Sequence, residues 1–226
     1  MSILLKEINE NIKLICKQID FQKKRYYYIK KIDDNVLATL HFGYVRFAKK
    51  DHIYVDVTVG VSYKDIESLY IRLLEVEKNI FRSTIGTQIG YLMPENRYKE
   101  WDFVENSDNT HQYEDILKNI KEYGFPYQKR MSDFNNLLQA FEKREPGILN
   151  IARDKYLPIM YYLKGEKQKG VEFIKKAIER QQQPVSEEEK KLLKELAGPG
   201  GQVIIGSGIG KVDPAYLKFA ENYKKL

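Results

Sequence analysis

Residue types that commonly carry chemistry are few and scattered in this chain. Its three histidines, His41, His52 and His111, lie far apart in sequence, and Cys16 is the only cysteine. A zinc site needs cysteine and histidine ligands at short, regular spacings, which are missing here. No Gly-x-Ser-x-Gly nucleophile motif occurs either. We therefore expect no metal ion and no catalytic residues, and predict a protein that acts by binding a partner.

A glycine-rich segment, residues 198–213, has the composition of a phosphate-binding loop but not its spacing. A P-loop requires Gly-x-x-x-x-Gly-Lys followed by Ser or Thr. With Lys211 as its lysine, the first glycine would fall at Ile205, and Val212 replaces the hydroxyl residue. A dinucleotide fingerprint fails because Lys211 stands at its third glycine. We predict no nucleotide cofactor, and interpret residues 198–212 as a flexible loop that a partner could cover.

The stretch from residue 21 to 32 mixes cations with aromatic rings. These residues are Lys23, Lys24, Arg25, Lys30 and Lys31, with Tyr26, Tyr27 and Tyr28 between them. Cations that bind phosphates beside rings that stack on bases are typical of RNA and single-strand sites. Alternation along a strand would turn half of these side chains to the core, and lysine commonly protects edge strands. We favour a solvated strand, and an RNA-binding or regulatory domain remains the alternative function.

The overall charge does not select a partner. There are 38 Lys and Arg against 32 Asp and Glu, so the net charge is +6. This value permits nucleic-acid or acidic-protein partners without requiring either. Several acidic residues could form carboxylate pairs, but the sequence places no pair in a cleft; they are Glu75, Glu77, Glu100, Asp102 and Glu105.

Cysteine usage and hydropathy indicate the compartment. A single cysteine allows no intrachain disulfide, which favours the cytoplasm over an oxidising compartment. Residues 1–18 are amphipathic and carry acids early, unlike a secretory signal peptide. No stretch approaches the roughly 18 apolar residues that a membrane span requires. We expect a soluble, cytoplasmic protein without a membrane partner.

The hydrophobic pattern of the first half predicts an α+β fold. Apolar residues recur at helical spacing at Leu5, Ile8, Ile12, Ile15 and Ile19. Residues 21–32, 36–47 and 53–61 then predict three strands of an antiparallel meander, the third with Tyr54, Asp56 and Thr58 on a wet face. A second helix, expected to cover the apolar face of the sheet, is marked by Ile66, Leu69, Leu73 and Ile80. Residues 81–109 could add one or two short strands.

From about residue 111 the pattern is helical to the C-terminus. Predicted helices span 112–122, which ends at Gly124 and Pro126, and then begin at Ser132, Pro146, residue 167, Ser186 and Asp213. Strands followed by helices indicate an α+β domain beside a helical one. We predict an antiparallel sheet with covering helices in residues 1–104, a linker around 105–111, and a helical bundle in residues 112–226.

A series of short motifs extends over residues 4–104. They are Asp20–Lys24 before an aromatic strand, the strand around Val55–Gly60, Phe81–Gly86, Ile89–Leu92 and Trp101. In this order they resemble the DUF4304 family of small bacterial α+β domains. Asp20 departs from the pattern, because the family usually has glycine before the phenylalanine. The helical half lies outside the resemblance.

The resemblance implies a function. DUF4304-like domains occur among predicted immunity proteins of bacterial polymorphic-toxin systems, so it implies a stoichiometric inhibitor whose partner is a cognate toxin domain. An inhibitor of a nuclease would more naturally be acidic, so we expect another toxin chemistry or an acidic toxin surface. The candidate partner-binding residues are Lys23, Lys24, Arg25, Tyr27, Tyr54, Asp56, Arg82 and Trp101.

Overall fold

The computed structural model describes residues 2–45, 51–77, 80–183 and 212–226. The helix predicted from Ser186 and all but the last residue of the glycine-rich loop 198–212 lie outside these ranges. The described chain has an antiparallel sheet and helices that follow it in sequence, which confirms the predicted α+β class.

The chain opens with helix α1 (Ile3–Gln18), as predicted. The hydroxyl of Ser2 caps it by accepting a hydrogen bond from the Leu5 amide at 3.3 Å. Its apolar stripe is buried, and it comprises Leu4, Ile8, Ile12, Ile15 and Cys16. The chain leaves the helix through Asp20, whose φ of +63° is a left-handed conformation that glycine adopts most easily.

Six antiparallel strands form the sheet. They are β1 (Gln22–Lys24), β2 (Tyr27–Lys31), β3 (Val36–Val45), β4 (His52–Tyr63), β5 (Ile85–Gln88) and β6 (Glu100–Val104). The order is β1-β2-β3-β4-β5, and β6 pairs with the other end of β4 along the same edge as β5. The predicted meander is β2-β3-β4, and residues 81–109 supply the two short strands β5 and β6.

One strand prediction is wrong. Residues 21–32 form a hairpin of β1 and β2, not a single strand, because the chain reverses at Arg25 and Tyr26. Arg25 has a φ of +57°, a left-handed conformation that breaks the extended backbone. The reversal decides where the basic side chains point.

The apolar side of the sheet is covered by helices that follow β6. These are α3 (Thr110–Asn119), a π-helical turn (Ile120–Gly124), α4 (Phe125–Met131) and α5 (Phe134–Lys143). The Tyr63 hydroxyl donates to the Met131 carbonyl oxygen at 3.0 Å, and the Gln128 amide donates to the Thr39 carbonyl oxygen at 2.9 Å. These bonds, with buried aromatic contacts, hold residues 110–143 against the strands.

Several predicted helix boundaries need correction. The helix from residue 112 does not stop at Gly124, which keeps right-handed helical angles, and Pro126 lies in the first turn of α4, directly after the π-helical turn. The carboxylate of Asp133, rather than Ser132, caps α5. The second predicted helix is α2 (Lys64–Leu74), which ends before Ile80.

The chain divides into two compact units, Met1–Glu67 with Lys78–Ile148, and Ser68–Glu77 with Leu149–Leu226. This division differs from the predicted boundary at 105–111. The reason is that residues 110–143 bury their apolar side chains on the sheet, so they belong to its unit.

The second unit contains α6 (Asn150–Leu163), α7 (Lys167–Gln182) and α8 (Pro214–Lys224). The predicted start at Pro146 is wrong, since α6 begins at Asn150, whereas Asp213 caps α8 as expected. Pro158 cannot donate to the Asp154 carbonyl oxygen, and the Tyr216 hydroxyl donates to that oxygen at 3.2 Å instead. None of the helices described is long and apolar enough to cross a membrane.

Candidate functional site

Strand alternation creates a polar face on the side of the sheet opposite to α3, α4 and α5. The register places Tyr27, His41 and Thr58 in one row across β2, β3 and β4. The next two rows bring in side chains of β6. We call this surface the polar face, and define it as Tyr27, His41, His52, Tyr54, Asp56, Thr58, Tyr98, Glu100 and Asp102.

Asp56 lies near the middle of the polar face, opposite Gly43 on β3 and Glu100 on β6. A Cβ on Gly43 would lie within 2.2 Å of Asp56 Oδ2, so the carboxylate occupies the space that a side chain on β3 would fill. Partial burial raises the pKa of Asp56, while the charge of His41 and a hydrogen bond from the Tyr98 hydroxyl oppose this shift.

Glu100 and Tyr98 share this environment. Burial raises the pKa of Glu100, and the neighbouring carboxylates of Asp56 and Asp102 raise it further. Burial next to the same acids raises the pKa of Tyr98 to about 12. In the described ranges neither Asp56 nor Glu100 forms an ion pair with a lysine or arginine. Within the described part of the chain, these two neighbouring carboxylates therefore have no lysine or arginine paired with them, and the imidazole of His41 is the cationic group that acts on Asp56.

His52 and Asp102 form a second polar pair at the end of β4. The Nδ1 atom of His52 lies 2.8 Å and 3.0 Å from the two carboxylate oxygens of Asp102. The imidazole stacks on the Tyr54 ring, with centroids 6.2 Å apart and planes 18° apart. His52 therefore contacts both Asp102 and Tyr54, and these contacts fix the orientation of the three side chains.

Tyr27 lies at the opposite end of the polar face, in an aromatic cluster. Its ring centroid is 5.4 Å from that of His41 and 5.2 Å from that of Phe81. The ammonium of Lys24 lies 4.8 Å from the Phe81 centroid. Burial and the charge of Glu67 raise the pKa of Tyr27, and Arg82 lowers it. Tyr27, Lys24 and Arg82 are thus brought together, as part of the predicted set.

The remaining basic residues of the predicted set are separated by the hairpin. Lys23 is opposite Tyr28 and lies 5.8 Å from its ring centroid, so it points to the other side of the sheet from Lys24. Arg25 is exposed at the reversal. The hairpin does not present its cations as one continuous stripe.

Trp101 is not part of the polar face, which corrects that prediction. It is opposite Val55 on the core side and only 5% exposed. Its indole Nε1 donates to Asp115 at 2.8 Å. Trp101 therefore packs inside the molecule, because alternation turns it the opposite way from Glu100 and Asp102.

Six residues of the polar face were not predicted as site residues: His41, His52, Thr58, Tyr98, Glu100 and Asp102. The sequence did contain a signal for Glu100 and Asp102, since residues 100–104 alternate polar and apolar side chains as β4 does. What the sequence could not give was the pairing of β6 with β4, which places Glu100 opposite Asp56.

Comparison with protein-family models, with curated proteins and with solved structures yields no match for this chain. Among the residues described, no group of three or more His, Cys, Asp or Glu side chains could hold a metal ion. The polar face offers half-buried tyrosines, histidines and carboxylates on a rigid sheet.

Proposed function

We propose that this protein is an immunity-type inhibitor that binds a cognate bacterial toxin domain through the polar face. The observation that carries the proposal is the polar face itself, where Tyr54, Asp56, Glu100 and Asp102 remain accessible on β4 and β6, whose other side is buried. Such a surface is ordered in advance, so little conformational entropy is lost when a partner covers it.

Three further features support the proposal. Tyrosine is enriched in the desolvated centres of protein interfaces, and Tyr27, Tyr54 and Tyr98 lie on this face. Asp20, where the DUF4304 pattern usually has glycine, takes the left-handed conformation expected of a glycine position. The single cysteine favours action in the reducing cytoplasm.

The geometry supports RNA binding less well. An RNA site on the hairpin would need Lys23, Lys24 and Arg25 on the same side as exposed rings. The register turns Lys23 and Lys24 to opposite sides, and Tyr28 is buried. Only Tyr26, which is 82% exposed at the reversal, offers an open ring on the hairpin.

Co-expression tests the proposal directly. The toxic domain encoded by the neighbouring gene is expressed in bacteria with and without this protein. We expect rescued growth and a complex that survives gel filtration, whereas unrelated toxins should not be neutralised, because specificity needs a matched surface. A neighbouring product that neither kills nor binds would contradict the proposed function.

A charge-reversal variant separates the two candidate functions. Lys23→Glu/Lys24→Glu/Arg25→Glu should leave growth rescue largely intact, since these residues are mainly outside the polar face. Sub-micromolar binding of one RNA at physiological salt, lost in this variant and weakened steeply by added salt, would instead support the RNA-binding alternative.

A further inference from the structure

We infer that the polar face docks a basic, arginine-bearing surface of its partner, with a guanidinium group seated between Asp56 and Glu100. This inference rests on the proposed function, since it specifies the chemistry of the partner at the same surface. It also differs from the expectation drawn from net charge, which was another toxin chemistry or an acidic toxin surface.

The centre of the polar face is acidic, and its charge is therefore complementary to a cationic partner surface. The chain carries a net charge of +6, yet the central rows of the polar face present Asp56, Glu100 and Asp102. Directly opposed residues in an antiparallel pair have Cβ atoms about 4.5–5.5 Å apart, so the carboxylates of Asp56 and Glu100 can bind one cation together. Since the charges of Asp56 and Asp102 raise the pKa of Glu100, a bound cation would relieve the repulsion among these carboxylates.

The aromatic rings of Tyr98 and Tyr54 border these acids. Tyr98 is 48% exposed and donates to Asp56, which places its ring at the edge of the carboxylate pair. Tyr54 lies one row further along, stacked on His52. A guanidinium binds carboxylates through two parallel hydrogen bonds and stacks on aromatic rings, whereas an ammonium is a strongly hydrated point charge. This combination selects arginine over lysine.

Gly43 is the third element of the site. Because β3 has no side chain at this position, the Asp56 carboxylate lies over its backbone and is kept beside Glu100 on one side and His41 on the other. A larger residue on β3 would displace the carboxylate without removing its charge. The position of the Asp56 carboxylate and its charge can therefore be tested with separate variants.

The experiment uses the full-length protein and a peptide probe, acetyl-(Gly-Arg)3-amide, with the matching lysine and citrulline peptides as controls. Binding is followed by NMR chemical-shift changes in the ¹⁵N-labelled protein at neutral pH. We expect saturable shifts that cluster at residues 41–43, 54–58 and 98–102, weaker binding of the lysine peptide and none of the citrulline peptide.

Two double variants make the test specific. Asp56→Asn/Glu100→Gln should reduce affinity for the arginine peptide by at least about tenfold. Glu7→Gln/Glu10→Gln removes the same charge from the exposed side of α1 and should leave affinity within about twofold. Gly43→Ala should weaken binding although every carboxylate is kept. Thermal unfolding of each variant checks that it is folded.

Shifts spread over other acidic surfaces, equal loss in both double variants, or equal binding of arginine and lysine peptides would overturn the inference. The outcome is independent of growth rescue, because the peptide assay contains no toxin. If the peptide binds as expected but no toxin is neutralised, the proposed function fails alone. If Asp56→Asn/Glu100→Gln still neutralises the toxin fully, the inference fails and the proposed function stands.

Discussion

The two faces of β4 share one backbone and differ in almost everything else. Val55, Val57 and Val59 point to one side and are fully buried, whereas Tyr54 and Asp56 point to the other and remain half-exposed. The buried side is fixed by the hydrophobic effect, which rewards only apolar area removed from water. The open side keeps partly buried carboxylates whose pKa values are raised, which costs stability. The proposed function assigns these groups to partner binding.

The largest loss of stability is expected for a substitution on the buried side of the sheet. Phe103 on β6 is fully buried next to Tyr113, with ring centroids 4.9 Å apart. Phe103→Ala should lower the free energy of unfolding by about 3–5 kcal/mol, the range for a large residue deleted from a core. Chemical denaturation measures it. Tyr54→Ala, on the open side, should cost much less, and a comparable loss would erase the contrast between the two faces.

Two glycines on the polar side of the sheet sharpen the comparison. A Cβ on Gly60 would lie 2.2 Å from the Ile85 carbonyl oxygen, which is backbone and cannot move without breaking the β4–β5 pairing. The three heavy atoms nearest to a Cβ on Gly43 all belong to the Asp56 side chain. Gly60→Ala should therefore destabilise by about 1–3 kcal/mol, the usual cost of overpacking, and Gly43→Ala by clearly less. Thermal unfolding of both variants checks the order, and equal losses would contradict it.

The smallest effect concerns the titration of Asp56. Its carboxyl pKa is raised above the ordinary 3.8 by burial, so the folded state holds the proton more tightly than the unfolded chain. The contribution of Asp56 to stability should therefore fall as the pH rises through its unfolded and folded pKa values, and ionised Asp56 should be mildly unfavourable at neutral pH. Asp56→Asn removes this effect and should be more stable at pH 7 by a few tenths of a kcal/mol, within the range of surface substitutions.

The check is denaturant unfolding of both proteins between pH 3 and 7. His41, Tyr98 and Glu100 surround the carboxyl and stay unchanged in the variant, so their titration largely cancels in the difference. The advantage of Asp56→Asn should grow as pH rises. An advantage that shrinks over this range would show that the ionised carboxylate stabilises the fold.

The fold could be predicted from the sequence where periodicity was strong. The valines of β4 and the isoleucines of α1 repeat at the spacings of a strand and a helix, and both elements form as expected. Predictions failed where a local signal was overruled by packing. Gly124 and Pro126 are typical helix stops, yet the chain stays helical through them because Gly124 fits closely against Val59, with an added Cβ only 3.2 Å from Val59 Cγ1.

The candidate site was less predictable than the fold. Tyr54 and Asp56 could be placed on an open face from alternation alone, and Trp101 was misplaced because its strand was not recognised. The partners of Asp56 come from β6 and the preceding loop, more than forty residues away in sequence. Only strand pairing brings Glu100 opposite Asp56, and no periodicity within one segment can reveal that.

Side-chain footprinting of the complex tests the central claim most directly. Hydroxyl radicals modify exposed tyrosines, so the protein is labelled alone and bound to the toxic domain of the neighbouring gene, and protection is read by mass spectrometry. We predict strong protection of Tyr98 and Tyr54 and little change at Tyr26 on the hairpin. Protection of Tyr26 with Tyr98 and Tyr54 left reactive would contradict binding through the polar face.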